Sequence, residues 1–262
     1  MSLNDILVCL DSTEAGEGRL KLAVQLARQH GAYLTGAFVL DDPAKSSFGP
    51  RGVPRDDAEE RFRETLRLRG IRGDWRLVDG PDTGEIVALA KSADLAILGQ
   101  YSREAHNGTG FRPDEIAMAC GRPLLIVPYI GGFKTVGETV LIAWDGTREA
   151  TRALNDALPL MNSAKSATVM IVLAQERELE RAHAAVQRIT AHLERHGIPA
   201  RAEETVRGDL AVSDLLLSRA ADLGADMIVA GAYHHSQLRE ALIGGVSRDL
   251  LHHMTVPVLM SH

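Results

Sequence analysis

Short apolar runs alternate with longer amphipathic stretches along the whole chain. In the first half, apolar runs at residues 6–10, 33–40, 95–98 and 124–127 are typical of buried strands. Stretches with apolar residues spaced for one helical face occur in both halves, at residues 17–30, 57–69, 179–196 and 211–221. Strands of this length joined through helices predict right-handed crossovers and a parallel sheet. The pattern therefore predicts an α/β protein with Rossmann-like, doubly wound domains.

The pattern occurs twice. Residues 6–40 match residues 140–173 in hydrophobic pattern and in an aspartate after the first strand, Asp11 and Asp145. SADLAILGQY in the first half corresponds to GADMIVAGAY in the second, and GRPLLIVPY corresponds to TVPVLMSH. All three matches are offset by 132 to 134 residues in the same order, which chance similarity does not produce. We therefore predict two domains, residues 1–133 and 134–262, joined by a short glycine-containing linker.

The second half contains a candidate anion site. In an open parallel sheet, ligands bind beyond the carboxyl ends of the strands, where the strand order reverses. Asp145 follows the first strand of this half, and Gly231 begins the loop after the fourth strand. The residues directly before a helical run at 248–254 are Gly244, Gly245, Val246 and Ser247. Paired glycines and a helix N-terminus together suit a phosphate held by backbone groups, although a tight turn capped by Ser247 explains the glycines equally well.

The whole arrangement resembles the universal stress protein family, whose nucleotide-binding members carry G-x2-G-x9-G-(S/T) in this loop. Gly231 matches the first glycine and Gly244 the third. His234 stands at the second glycine and Gly245 at the hydroxyl position, while Ser247 lies two residues on and could supply a substitute hydroxyl. The resemblance covers nearly all of the chain, because it also includes the paired aspartates and the proline before the last strand.

The resemblance implies two tandem domains of the adenine nucleotide alpha hydrolase type, each with a mostly parallel five-stranded sheet and helices on both faces. It implies that adenine lies near Asp145 and Ala174, at the ends of the first two strands of the second half. Ribose and phosphates would be held by the backbone of Gly231, Gly244, Gly245 and Val246. The ligand would be ATP, ADP or AMP, and magnesium would accompany ATP. Asp145 also fits a turn ahead of a helix, which is compatible with this role, and His234 either joins the phosphate site or obstructs it.

The first half departs from this motif. After Gly99 its loop is two residues shorter, and Phe111, Arg112 and Pro113 replace the small residues of the second half. Phe111 would crowd a phosphate, and Pro113 has no backbone N–H to donate. We expect this half to bind nucleotide poorly or not at all.

Charge and composition narrow the choice of partner. The net charge is −6 and the basic residues are scattered, which argues against nucleic acid as a partner. No apolar stretch is long enough to cross a membrane, and the chain does not start like a secretory signal, so we expect a cytoplasmic protein. Cys9 and Cys120 lack metal-ligand spacing, and the histidines near the C-terminus lack a spacing that would join them to a carboxylate, so no metal site is predicted.

The leading functional hypothesis is a stress-response or signalling module that binds adenine nucleotide in its C-terminal domain. The resemblance implies a homodimer of two-domain chains. A slow ATP-hydrolysing enzyme is the second hypothesis, although the sequence has no Walker lysine motif and no nucleophile elbow. The third is a structural dimerisation protein without a ligand.

Overall fold

The computed structural model describes residues 2–40, 55–80, 82–101, 111–232 and 245–262. The chain divides into two compact units, Met1–Lys134 and Thr135–His262. The boundary predicted from the sequence lies one residue earlier.

Strands and helices alternate in the first unit. Its elements are β1 (Asp5–Leu10), α1 (Glu14–His30), β2 (Tyr33–Leu40), α2 (Arg55–Arg69), β3 (Gly73–Asp79), α3 (Thr83–Lys91), β4 (Leu95–Gly99), α4 (Pro113–Cys120) and β5 (Leu124–Val127). The strands are ordered β3-β2-β1-β4-β5 and every pairing is parallel. The order reverses between β1 and β4, so the crossover helices lie on both faces of the sheet.

The second unit repeats this topology. Its elements are β6 (Thr139–Ala143), α5 (Arg148–Ala157), a 3-10 turn (Leu158–Met161), β7 (Ser166–Leu173), a 3-10 turn (Glu176–Glu178), α6 (Leu179–Arg195), β8 (Ala200–Val206), α7 (Val212–Leu223), β9 (Met227–Gly231), α8 (Gly245–His253) and β10 (Val258–Ser261). The strands are ordered β8-β7-β6-β9-β10, again all parallel. The prediction of α/β domains with mostly parallel sheets is confirmed.

Each unit fixes the start of its first strand with an aspartate-capped turn of the same kind. The Asp94 carboxylate accepts hydrogen bonds from the backbone N–H groups of Asn4 and Asp5, at 2.7 and 3.1 Å. The Asp226 carboxylate accepts three, from Gly137, Glu138 and Thr139, at 3.0 to 3.1 Å. Both aspartates lie just before the fourth strand of their unit, in the SADLA and GADMI segments. The clamp therefore ties the first and fourth strands together at their amino ends.

The turn at the other end of the first strand is also repeated. Thr13 caps α1 by accepting from the Gly16 N–H at 3.0 Å, and Thr147 caps α5 by accepting from the Ala150 N–H at 3.1 Å. A threonine at this position satisfies one of the backbone donors that a helix start leaves open. Two helices thus begin directly beside the carboxyl ends of the central strands.

Candidate functional site

A cleft opens in the second unit at the carboxyl ends of β6, β7 and β9. Its volume is about 310 Å³. The residues that line it are Ala143, Trp144, Asp145, Thr147, Glu149, Ala150, Met170, Val172, Val212, Leu216, Ala230, Gly231, Gly245, Val246, Ser247 and Leu250. β6 and β9 are the neighbours at which the strand order reverses, and ligands of open α/β sheets bind at this position.

Asp145 stands at the mouth of the cleft in a tight turn. Its Oδ1 accepts hydrogen bonds from the backbone N–H of Thr147 at 3.0 Å and from the Thr147 hydroxyl at 2.6 Å. The side chain is exposed. Asp145 therefore orders the start of α5, as a turn residue does, while its carboxylate stays accessible from the cleft.

Gly231 ends β9 where α5 comes closest to the sheet. A Cβ on this residue would lie 2.6 Å from the backbone nitrogen of Ala150 and 2.8 Å from the carbonyl carbon of Glu149. Real Cβ atoms do not approach backbone atoms so closely, so the glycine is required by helix–strand packing. From the sequence we predicted only that Gly231 contacts the ligand, and the structure adds this role in packing.

Three of the predicted residues form the first turn of α8. The sequence predicted a helix from residue 248, but α8 begins at Gly245, so Gly245, Val246 and Ser247 belong to the helix. The alternative in which Ser247 caps the helix is therefore wrong, because Ser247 lies within the helix. A Cβ on Gly245 would meet no atom of the described residues within 4 Å, and Val246 is 44% exposed. All three residues line the cleft, and the first turn of a helix leaves backbone N–H groups open at the positive end of the helix dipole.

Two predicted residues, His234 and Gly244, lie outside the described residues. Ala174 is described, but it is not one of the lining residues. Its backbone N–H donates instead to the Glu178 carboxylate at 3.2 Å, at the start of a 3-10 turn. On β7, Met170 and Val172 line the cleft where the sequence pointed to Ala174.

The apolar wall of the cleft was missed from the sequence. It consists of Met170 and Val172 from β7, Val212 and Leu216 from α7, and Leu250 from α8. Val212 and Leu216 are four residues apart on one helical face, which was the available signal. Leu216 is also a buried core residue, so periodicity alone did not separate a cleft wall from ordinary packing.

The corresponding region of the first unit is built differently. Arg19 is completely buried and forms an ion pair with Asp11, and its Nε donates to the Cys9 carbonyl at 3.0 Å. The second unit has Ala153, which carries no charge, at the position equivalent to Arg19. A Cβ on Gly16 would lie 2.5 Å from the Asp11 carbonyl oxygen, whereas the equivalent residue of α5 is Ala150, which carries a Cβ.

The cleft that remains in the first unit is small. Its volume is about 90 Å³, and its walls include Phe38 and Trp75, whose ring centroids are 5.4 Å apart. Phe111, expected to crowd a phosphate, is buried. An aspartate follows the first strand of both units, but its carboxylate is buried against arginine in one and accessible in the other.

Within the described ranges, no group of three or more histidine, cysteine, aspartate or glutamate side chains is placed to hold a metal ion. None of the helices in this part of the chain is long and apolar enough to cross a membrane.

The family model of the universal stress proteins matches residues 138–262. No curated protein matches the sequence. The fold is similar to that of a universal stress protein from Archaeoglobus fulgidus DSM 4304, with 16% identity, a TM-score of 0.69, and 97% of this chain and 95% of that chain covered. A structure described as a universal stress protein from Pseudomonas aeruginosa UCBPP-PA14 shows 17% identity and a TM-score of 0.68, with 99% and 93% covered. The resemblance found in the sequence is confirmed for the second unit: residues 138–262 form a universal stress protein domain, and a unit of the same topology precedes it.

Proposed function

We propose that the protein is a nucleotide-responsive signalling module that binds one adenine nucleotide, ATP, ADP or AMP, in the cleft of the second unit. The observation that carries this proposal is the open first turn of α8 facing the same cleft as the accessible Asp145 carboxylate. A helix N-terminus favours phosphate, and a carboxylate accepts hydrogen bonds from an amine or a hydroxyl. One ligand that carries both kinds of group at opposite ends is a nucleotide.

The charges in the cleft give the ligand a direction. The acids in its wall are Asp145 and Glu149, and Glu149 forms an ion pair with Arg148 at 2.9 Å. Asp145 would repel a phosphate, whereas the N-terminus of α8 would attract one. The base and ribose therefore lie on the β6 side, and the phosphates lie against Gly245, Val246 and Ser247.

Isothermal titration with adenosine, AMP and ATP, the last with and without magnesium, tests both the ligand and its orientation. The decisive variant is Gly245→Asp, because the site of the new side chain is open and an acid in the first turn of a helix does not weaken the helix. We expect it to lower the affinity for AMP and ATP at least tenfold and that for adenosine less than twofold.

Gly18→Asp is the matched control. A Cβ on Gly18 also meets no atom within 4 Å, and the residue lies on α1 of the first unit. It should leave binding unchanged, with one nucleotide per chain. Two equivalent sites, or equal losses in both variants, would reject a single site in the second unit. Absence of saturable binding would favour a structural protein without a ligand.

We further propose that the nucleotide acts on a cytoplasmic homodimer of these chains. Light scattering coupled to size exclusion, with and without AMP, measures this directly. A mass of one chain under both conditions would remove the homodimer from the proposal.

A further inference from the structure

Trp144 carries a buried hydrogen-bond donor without a partner in the wall of the cleft. The residue follows β6, and its backbone N–H donates to the Met170 carbonyl at 2.8 Å. Its side chain is 7% exposed, and the indole Nε1 has no hydrogen-bond partner among the described residues. Indole is a donor only, and buried indole N–H groups are nearly always paired, because an unpaired one loses its bond to water without compensation.

The fold itself does not need an indole at this position. The equivalent residue of the first unit is Leu10, which is also buried and ends β1 in register with Phe38. The first unit thus builds the same strand end with an aliphatic side chain that carries no donor. The unpaired N–H of Trp144 belongs to the unit whose cleft at this strand end is the larger of the two equivalent clefts, and packing alone does not account for it.

We propose that Trp144 determines ligand specificity by donating its indole N–H to an unprotonated ring nitrogen of the bound purine. This inference rests on the proposed function and adds the group that recognises the base. A donor-only side chain requires an acceptor, and the wall residues Met170 and Val172 offer only the weak thioether acceptor of Met170, with which the indole forms no hydrogen bond. The nitrogen is covered in this structure, so the bond forms as the indole turns about its side-chain torsions towards the ligand.

Purine analogues that lack single ring nitrogens identify the bond. The native protein should bind adenosine about fivefold to tenfold more tightly than one of the three analogues 1-deaza-, 3-deaza- and 7-deazaadenosine, the effect expected for one hydrogen bond. Two variants remove the indole: Trp144→Phe, and Trp144→Leu, which introduces the side chain that the first unit has at this position. Each should weaken adenosine binding by a similar factor. Each should also bind adenosine and that analogue equally tightly. Because adenosine has no phosphate, a bond from the indole to a phosphate oxygen would instead appear as a loss confined to AMP, and that result would overturn the proposal.

A measurement on the native protein does not depend on how the variants fold. The chain has two tryptophans, Trp75 in the first unit and Trp144 in the second, so their indole N–H resonances are assigned by one substitution. Adenosine should shift the Trp144 indole resonance, the discriminated deaza analogue should shift it much less, and Trp75 should not respond.

Failure of the two proposals can be distinguished. If AMP and adenosine show no saturable binding to the native protein, both proposals fall. If AMP and adenosine bind to the native protein, nucleotide binding stands. The assignment of Trp144 is then wrong in either of two cases: Trp144→Phe binds every ligand as tightly as the native protein, or it loses affinity by the same factor for adenosine and all three analogues.

Discussion

Gly231→Ala tests whether helix packing sets the shape of the cleft. The added Cβ would lie 2.6 Å from the Ala150 nitrogen and 2.8 Å from the Glu149 carbonyl carbon. Both contacts are with backbone, so no side chain can rotate away and α5 must move relative to β9. Overpacking of this kind costs about 1–3 kcal/mol, and contacts with backbone on two residues place this change in the upper part of that range. We expect the second unit to lose about 2–3 kcal/mol of unfolding free energy.

The matched control is Gly245→Ala, where the added Cβ meets no atom within 4 Å in the part of the chain that the structure describes. Alanine is favoured over glycine in a helix, so this change should leave stability unchanged or raise it by at most about 1 kcal/mol. Urea unfolding followed by tryptophan fluorescence measures the unfolding free energy of both variants. The measurement uses a Trp75→Phe background, because Trp144 is then the remaining tryptophan and reports on the second unit.

The packing argument is refuted if Gly231→Ala unfolds at the same urea concentration as its parent. If that stable variant also failed to bind AMP, the glycine would serve the approach of the ligand, as the sequence alone suggested. A loss of stability without a matching loss of AMP affinity would assign the glycine to packing only.

Three further changes probe other parts of the structure. Arg19→Met leaves the buried Asp11 carboxylate without its cation and should cost the first unit about 3–5 kcal/mol in urea unfolding, whereas adding Asp11→Asn should recover a large part of the loss. Burial, reinforced by nearby positive charge, lowers the pKa of His192 from 6.5 in the folded protein. The unfolded chain therefore takes up a proton first as pH falls, which lowers the stability of the fold. We expect His192→Gln to reduce the drop in Tm between pH 7.5 and 5.5. Burial raises the pKa of Cys9 to about 12, so a thiol reagent at pH 8 should modify Cys9 only in urea, and modification of the folded protein would contradict its burial.

Much of the fold was predictable because the chain repeats its own pattern. The central strands are apolar runs buried on both faces, and they were found nearly to the residue. The third strands of the two units, β3 and β8, GDWRLVD and ARAEETV, contain no apolar run. Most of their side chains are only half-buried, and such positions accept charged side chains. The sequence did not locate them, and the family resemblance implied only that each domain has five strands.

The candidate site was predictable where chain order determines it. Asp145 and the first turn of α8 follow strands that meet at the reversal point, so topology alone brings them to one edge of the sheet. Trp144 and Val212 were not singled out, because an apolar residue at a strand end and one on an amphipathic helix look like core in a sequence. Whether such a residue lines a cleft depends on how far apart two elements lie, which periodicity does not encode.

The carboxylate clamps have a consequence for how each unit is made on the ribosome. The hydrogen bond from Asn4 cannot form until Asp94, 90 residues later, has been synthesised. The hydrogen bond from Gly137 likewise requires Asp226, 89 residues later. At the usual synthesis rate of about 5–20 residues per second, the first strand of each unit is in place for roughly 5–20 seconds before its partner leaves the exit tunnel. During that interval an apolar segment without its fourth-strand neighbour is exposed to chaperones. A slow-translating stretch before Asp94 or Asp226 would lengthen that exposure in its own unit only.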